Sequence, residues 1–269
     1  MRRNNCDADY LCCAEGEDKI KMSQELKDLV IDEFSTESAQ KFYIAKAEEG
    51  LWDSESILIK KFFKPKSSVL DIGCGTGRTT IPLFKMGHNV LGIDITPKMV
   101  ESAKKIAKSK RLNVKYYVGD ATNLKYEENS FDNALFSYNG WSQIPGKENR
   151  LKALKEIYRV LNQDGYFIFT SHTRVMKGFS TFWLKQWIRF YLLRPLRFPI
   201  DETDFGDRFF QRGETDFKKQ YIHIPSLEEV KKQINEAGFE LVMAEKSNNI
   251  SKAKNPDPPV TFYVCRKRK

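Results

Sequence analysis

The stretch Val69-Leu70-Asp71-Ile72-Gly73-Cys74-Gly75-Thr76-Gly77 constrains what this chain can fold into more than any other. Val69 to Ile72 is a short, mostly apolar run of strand length. It ends in glycines at 73, 75 and 77, which let a backbone turn tightly and approach a ligand with no side chain in between. A strand, a glycine turn and a following helix form the opening unit of a nucleotide-binding α/β sheet. A dinucleotide fingerprint asks for a third small residue where that helix packs on the strand, and the position is held by Arg78. The pyrophosphate reading is weakened accordingly.

Downstream segments repeat the alternation of strand and helix. Val90-Leu91-Gly92-Ile93 reads as a second strand ending in Asp94; a carboxylate at that point can accept both hydroxyls of a ribose. Thr96-Pro97 is a helix start, with Met99, Val100, Ala103, Ile106 and Ala107 as the buried stripe. Val114 to Val118 predicts a third strand leading into Gly119-Asp120-Ala121. Phe131 to Ser137 predicts a fourth, followed by Tyr138-Asn139-Gly140-Trp141. Leu151, Leu154, Ile157, Tyr158 and Leu161 recur at helical spacing, and Asn162 to Gly165 reads as a turn into the strand Tyr166 to Thr170.

Asp71 to Gly77, Asp94, Gly119-Asp120-Ala121 and the run R-V-L-N-Q-D-G-Y-F-I-F from Arg159 to Phe169 resemble the motifs of the class I methyltransferases that use S-adenosyl-L-methionine. The resemblance covers about Val69 to Lys267, without a motif match between Arg174 and Ser226. It implies a Rossmann-like α/β fold, mostly parallel with an antiparallel last strand and helices on both faces. It also implies site residues. The turn Gly73, Cys74, Gly75 and Gly77 would cradle the amino-acid half of the cofactor, and Asp71 would help hold its ammonium. Ile95 and Met99 would flank the adenine, Asp120 would accept from its amino group, and the Ala121 amide would meet a ring nitrogen. Ser137 would lie at the transferred methyl, with Asn139 and Trp141 toward the acceptor. The segment before the first strand would form one wall of the pocket, which brings in Tyr43 and Trp52; packing of the lid on the core is the other reading of both.

The implied organisation is one domain over 1–269: an N-terminal helical lid (1–63), a cofactor-binding core (64–173), an inserted substrate cap (174–222) and a closing segment (223–269). In the lid, Phe42 and Ala45 share a helical face, Gly50 breaks the run, and Asp53-Ser54 reads as the cap of a second helix. In the cap, Phe179, Phe182, Trp183, Trp187, Phe190 and Tyr191 recur at intervals of three and four until Pro195 and Pro199. Such an aromatic helix suits a pocket for an apolar acceptor, with Trp183 and Trp187 lining it; it equally suits an oligomer interface, a membrane surface or plain packing. Asp201 to Arg212 reads as a charged loop. Arg174 and His223 are candidates for the acceptor pocket. His172, at the carboxyl edge of a parallel sheet, could take a proton from an amine or hydroxyl; a hydrogen-bonded structural histidine is the alternative. Ser226 with Glu229 forms a capping box.

The predicted function is methyl transfer from S-adenosyl-L-methionine to an N or O nucleophile of a small metabolite, natural product or short peptide. A nucleic-acid methyltransferase and a non-catalytic cofactor-binding protein are the alternatives. The net charge of +9 invites the nucleic-acid reading. Against it, Met1 to Phe63 is net acidic, and no Asn-Pro-Pro-Tyr motif follows the fourth strand, where the chain reads Asn139-Gly140-Trp141-Ser142. The five cysteines are scattered, so neither a disulfide frame nor a metal site is expected. No apolar run reaches the length of a membrane span, and Met1 to Gly16 has no signal-like segment. A cytoplasmic protein is expected, with contact to a membrane surface left open.

Overall fold

The structure, a computed structural model, describes residues 24–178, 180–196, 198–210, 220–253 and 257–268. Its strands are β1 (Ser68–Ile72), β2 (Asn89–Asp94), β3 (Lys115–Val118), β4 (Phe131–Phe136), β5 (Leu161–Ser171), β6 (Asp207–Phe210), β7 (Gln220–His223), β8 (Glu240–Lys246) and β9 (Thr261–Arg266). Seven of them form one sheet in the order β3-β2-β1-β4-β5-β9-β8. The pairs from β3 to β5 are parallel, and β9 runs antiparallel to both of its neighbours. β6 and β7 pair separately as an antiparallel ribbon.

The helices are α1 (24–35), α2 (Glu37–Glu49), α3 (Asp53–Phe62), α4 (Thr80–Lys85), α5 (Pro97–Ser109), α6 (Lys147–Val160), α7 (Ser180–Ile188), α8 (Leu227–Glu236) and α9 (Ser247–Ile250). Because helices cover both faces, the central strands are apolar on both sides. Leu70, Ile72, Phe167, Phe169 and Tyr263 face one core with Leu154, Ile157, Val230 and Ile234 of α6 and α8. Their alternates Val69, Leu135, Ile168, Phe262 and Val264 face the other, with Leu58 and Ile59 of α3. This period of two sets which side chains meet each helical layer, while the parallel pairing brings the ends of β1 to β5 to one edge.

Three local expectations are corrected. Asn162 to Gly165 is not a free turn: β5 begins at Leu161 and carries an irregularity in its pairing with β4. There Asp164 has φ 62°, and a Cβ on Gly165 would come within 2.6 Å of the Asp132 carbonyl oxygen. The start of α3 is not capped by Asp53 or Ser54; their amides donate to Asp257 (3.2 and 2.8 Å), across the fold. Asp201 to Arg212 is not simply a loop, since Asp207–Phe210 is β6, whose pairing partner lies ten residues or more beyond any local signal; residues 211–219 lie outside the described residues.

The lid is fastened to the sheet by a buried ion pair. Arg78, just after the glycine turn, donates to both carboxylate oxygens of Glu55 in α3 (2.8 and 2.7 Å) and to the Gly50 carbonyl (2.8 Å). Glu55 also accepts from the Trp52 amide at 2.7 Å and from the Ser137 hydroxyl. The guanidinium stacks on Trp52 and Tyr138, with centroids at 4.7 and 5.4 Å. Loss of one partner leaves the other charge buried and uncompensated. Glu55→Gln is therefore expected to cost about 3–5 kcal/mol in urea unfolding, and the double replacement Glu55→Leu with Arg78→Met to cost less than Glu55→Gln alone.

Asp71 ties α4 to β1 in the same way. Its Oδ2 accepts from the Thr79 and Thr80 hydroxyls at 2.7 and 2.6 Å, while the buried Oδ1 has no protein partner. Burial pushes the carboxyl up to about 6, although the threonines and Arg78 pull the other way. The folded chain thus holds this proton more tightly than the unfolded one. The contribution of Asp71 to stability is unpenalised below the ordinary carboxylate range, declines as pH rises toward about 6, and is constant above it. Asp71→Asn should flatten that decline, on the order of 1–3 kcal/mol, in Tm measured as a function of pH.

Candidate active site

The carboxyl ends of β1, β2, β3 and β4 open into one cavity of about 1320 Å³, roofed by residues of α1, α2 and the cap. Such a crevice outside the strand ends is where open α/β sheets place ligands. At its floor, Gly73 and Gly75 have φ of 61° and 53°, a region that a glycine enters without strain. A Cβ on Gly73 would lie 2.6 Å from the Phe136 ring, whereas one on Gly75 would meet nothing within 4 Å. Gly75 therefore offers bare backbone to the cavity.

Two carboxylates stand beside that floor, on its β2 and β3 side. Asp94 accepts from the Gly75 amide (2.9 Å) and the Thr96 amide (2.8 Å). Burial raises its carboxyl above the ordinary range, with the two amides opposing. Asp120 accepts from the amide and hydroxyl of Thr122 (2.8 and 2.9 Å) and from Lys27 Nζ at 2.6 Å. Burial works upward on Asp120, but Lys27 and Thr122 hold it below its usual range. A side-chain-free turn followed along the sheet edge by two acceptor carboxylates suits a ligand carrying a ribose and an amino-bearing base.

Of the residues picked out in the sequence, Tyr43, Gly73, Gly75, Asp94, Ile95, Met99, Asp120, Ala121 and Ser137 come together on this cavity wall. Others sit behind it. The Cys74 thiol is packed with Tyr116, Val100 and Ala103, and burial and nearby carboxylates push it well up. Gly77, at φ 97°, is there because a Cβ would strike the Tyr116 hydroxyl at 2.6 Å. Asp71 lies beneath the turn, bonded to Thr79 and Thr80. Trp52 flanks Arg78, and Trp141 is fully buried against Phe169, with its indole N–H toward the Arg150 carbonyl.

His172 is held 3.2 Å from the Asn139 amide, and burial lowers its pKa; Asn139 in turn donates its backbone N–H to Thr170. Neither ring nor amide lines the cavity. Arg174 donates to the Phe205 and Ile224 carbonyls at 2.8 and 3.2 Å and lies over Phe205, so it braces the cap. His223 is fully buried, with Nδ1 2.7 Å from Asp207 and Nε2 2.8 Å from Glu229. Asp204, Asp207 and His223 are close enough together to hold an ion, yet the Asp207 oxygens are already engaged by Thr203, the Asp204 amide, Tyr221 and His223, and Asp204 by Arg150. Trp183 is buried and bonded to the Val175 carbonyl (2.9 Å). Trp187 points outward, 44% exposed, because the cap helix turns its other side to the protein.

Several cavity residues stand outside the candidates named from the sequence: Lys27, Phe34, Phe136, Glu148 and Arg194; Tyr138 enters there only as part of the stretch after the fourth strand. Tyr138 is the most legible in hindsight. It has φ 54°, an uncommon conformation for a bulky side chain that clusters at functional sites, and it follows a predicted strand end. Glu148 was signalled only by Pro145-Gly146, the turn that aims the first turn of α6 at the cavity.

Known proteins resemble this chain in sequence and in fold. A family model described as a methyltransferase domain matches residues 69–165. The chain is 30% identical over 200 residues, 71% of its own length and 75% of the relative's, to the ubiquinone/menaquinone biosynthesis C-methyltransferase of Rickettsia prowazekii. It is 30% identical over 182 residues, 65% of the chain and 71% of the relative, to a demethylmenaquinone methyltransferase of Staphylococcus saprophyticus. The fold is also that of a solved S-adenosylmethionine-dependent methyltransferase from Methanosarcina mazei, with a TM-score of 0.64, 20% identity, and coverage of 81% of this chain and 99% of that one. The seven-stranded sheet with its antiparallel last strand is the fold of these proteins, and the chain belongs to the class I S-adenosylmethionine-dependent methyltransferases.

Proposed function

We propose that this enzyme methylates a small, largely apolar acceptor taken whole into the cavity, at an N or O nucleophile. The observation that carries the reading is the composition of the wall beyond the glycine turn. Phe34, Tyr43, Phe136, Tyr138, Ile144 and Phe190 enclose that end, which favours a flat apolar body. The charged residues of the lining are mixed, Glu148 and Asp204 beside Lys27 and Arg194, not the uniformly basic surface a polyanion calls for, so the nucleic-acid reading is the weaker one.

When bound, S-adenosylmethionine supplies a methyl group on a sulfonium, open to in-line displacement. Asp94 would hold the ribose and Asp120 the adenine amino group, with Ile95 and Met99 against the base and the Gly73 to Gly75 backbone along the amino-acid portion. The aromatic wall excludes water and fixes the acceptor's approach, and both effects favour displacement without a dedicated base. His172, neutral and set back behind Asn139, is an unneeded proton acceptor in this scheme.

A second reading, methylation at a ring carbon, is favoured by the names of the relatives from Rickettsia prowazekii and Staphylococcus saprophyticus, both tied to quinones. Incubating the enzyme with labelled cofactor and a panel of phenols, amines, hydroquinones and extracted RNA, then reading the methyl carbon shift of any product, separates the alternatives. Labelled RNA with unmodified small molecules would reject the proposal; a shift typical of a methyl on carbon would replace it with the second reading.

Two variants test the residue roles. Asp94→Asn keeps an acceptor oxygen for the Gly75 amide but removes the charge, and is expected to weaken cofactor binding about 10- to 100-fold by calorimetry. His172→Gln is expected to change kcat by less than about tenfold, since removal of a true general base costs more.

A further inference from the structure

The cap helix carries apolar residues on its outward side as well as on the side that faces the protein. Trp183 and Gln186 of α7 are buried and tethered, the indole to the Val175 carbonyl (2.9 Å) and the amide to the Asp207 carbonyl (2.7 Å). The outward side carries Leu184, Trp187, Ile188, Tyr191 and Leu192, spaced i, i+3, i+4, i+7 and i+8 along α7 and the turn that continues it. Leu196 and Phe198 extend the patch at 68% and 55% exposure. An exposed cluster of this kind on one element marks an interaction surface rather than scattered surface apolarity.

Charge identifies the partner. From Gly165 to Ile200 the chain has no Asp or Glu, while Arg174, Lys177, Lys185, Arg189 and Arg194 fall within it. Lys177, Lys185 and Arg189 are exposed beside the apolar stripe; Arg189 also reaches the buried Glu202 at 3.3 Å. Two copies of this face would set like charges against each other, whereas an anionic bilayer offers acyl chains to the stripe and headgroups to the lysines. Trp187 and Tyr191 are the residue types that settle at such an interface.

We propose that the outer face of the cap docks this enzyme on the surface of an anionic lipid bilayer. The docking face adjoins the active-site cavity, because Phe190, Arg194 and Pro195 of the same segment line it. Docking would then hold the cavity beside the bilayer as a source of apolar molecules. Adsorption itself does not depend on which acceptor is methylated.

Flotation of the full chain with phosphatidylcholine vesicles, with and without phosphatidylglycerol, tests the proposal. Binding is expected to the mixed vesicles and to weaken with salt. It should be at least about tenfold weaker for Trp187→Ser with Leu192→Ser and for Lys177→Glu with Lys185→Glu. Both double variants should keep the circular dichroism and cofactor affinity of the parent, since the altered side chains face outward. The proposal is overturned if the parent does not bind the mixed vesicles or if the variants bind as well as it does. Sedimentation showing a stable dimer that Trp187→Ser with Leu192→Ser dissociates would also overturn it, making a second copy the occupant.

Discussion

The buried pair between Arg78 and Glu55 is the interaction on which the rest of the site depends. Arg78 leaves the glycine turn, Glu55 comes from the lid, and Ser137 joins them at the end of β4. One bidentate contact therefore sets the turn, the lid and the reaction floor relative to one another. A buried ion pair is a poor source of stability in itself, because desolvation offsets most of its Coulomb gain. Its directional bonds suit a different task, which is to admit one arrangement of three segments and penalise the others.

A second network does the same for the cap. Arg150, fully buried at the base of α6, bonds Asp204 at 2.7 Å and approaches Glu229, while Glu229 and Asp207 bracket His223. Burial alone would raise the Asp207 carboxyl, but His223 and Thr203 bring it down to about 2. The ribbon of β6 and β7 is thus pinned by charge beneath, and by Leu26, Val30 and Tyr221 where α1 lies on it. Lid and cap both line the cavity, the lid anchored through Arg78 beside the glycine turn and the cap through Arg150 of α6.

Residues that look alike in sequence accordingly do different work. Asp71, Asp94 and Asp120 all lie near the carboxyl ends of strands, yet Asp71 is enclosed with two threonines, whereas Asp94 and Asp120 reach the cavity. Among the cap aromatics, Trp183 is buried, Phe190 lines the cavity, and Trp187 faces out. A spacing of three and four detects a helix but does not say which side of it the protein covers, and here the apolar residues occupy both.

By itself the sequence determined the alternation of strands and helices from Val69 to Thr170 and the place of the glycine turn. It also determined the carboxylates Asp94 and Asp120 at strand ends. Those features are local: strand length, turn chemistry and helical period act over a few residues. Tertiary structure alone decided which polar groups face a ligand and which face each other. Lys27 meets Asp120 across 93 positions, Ser137 meets Glu55 across 82, and Asp257 caps α3 from 203 positions away. Such pairs exist because leaving a buried polar group without a partner is costly, and a linear pattern cannot say which distant residue will supply it.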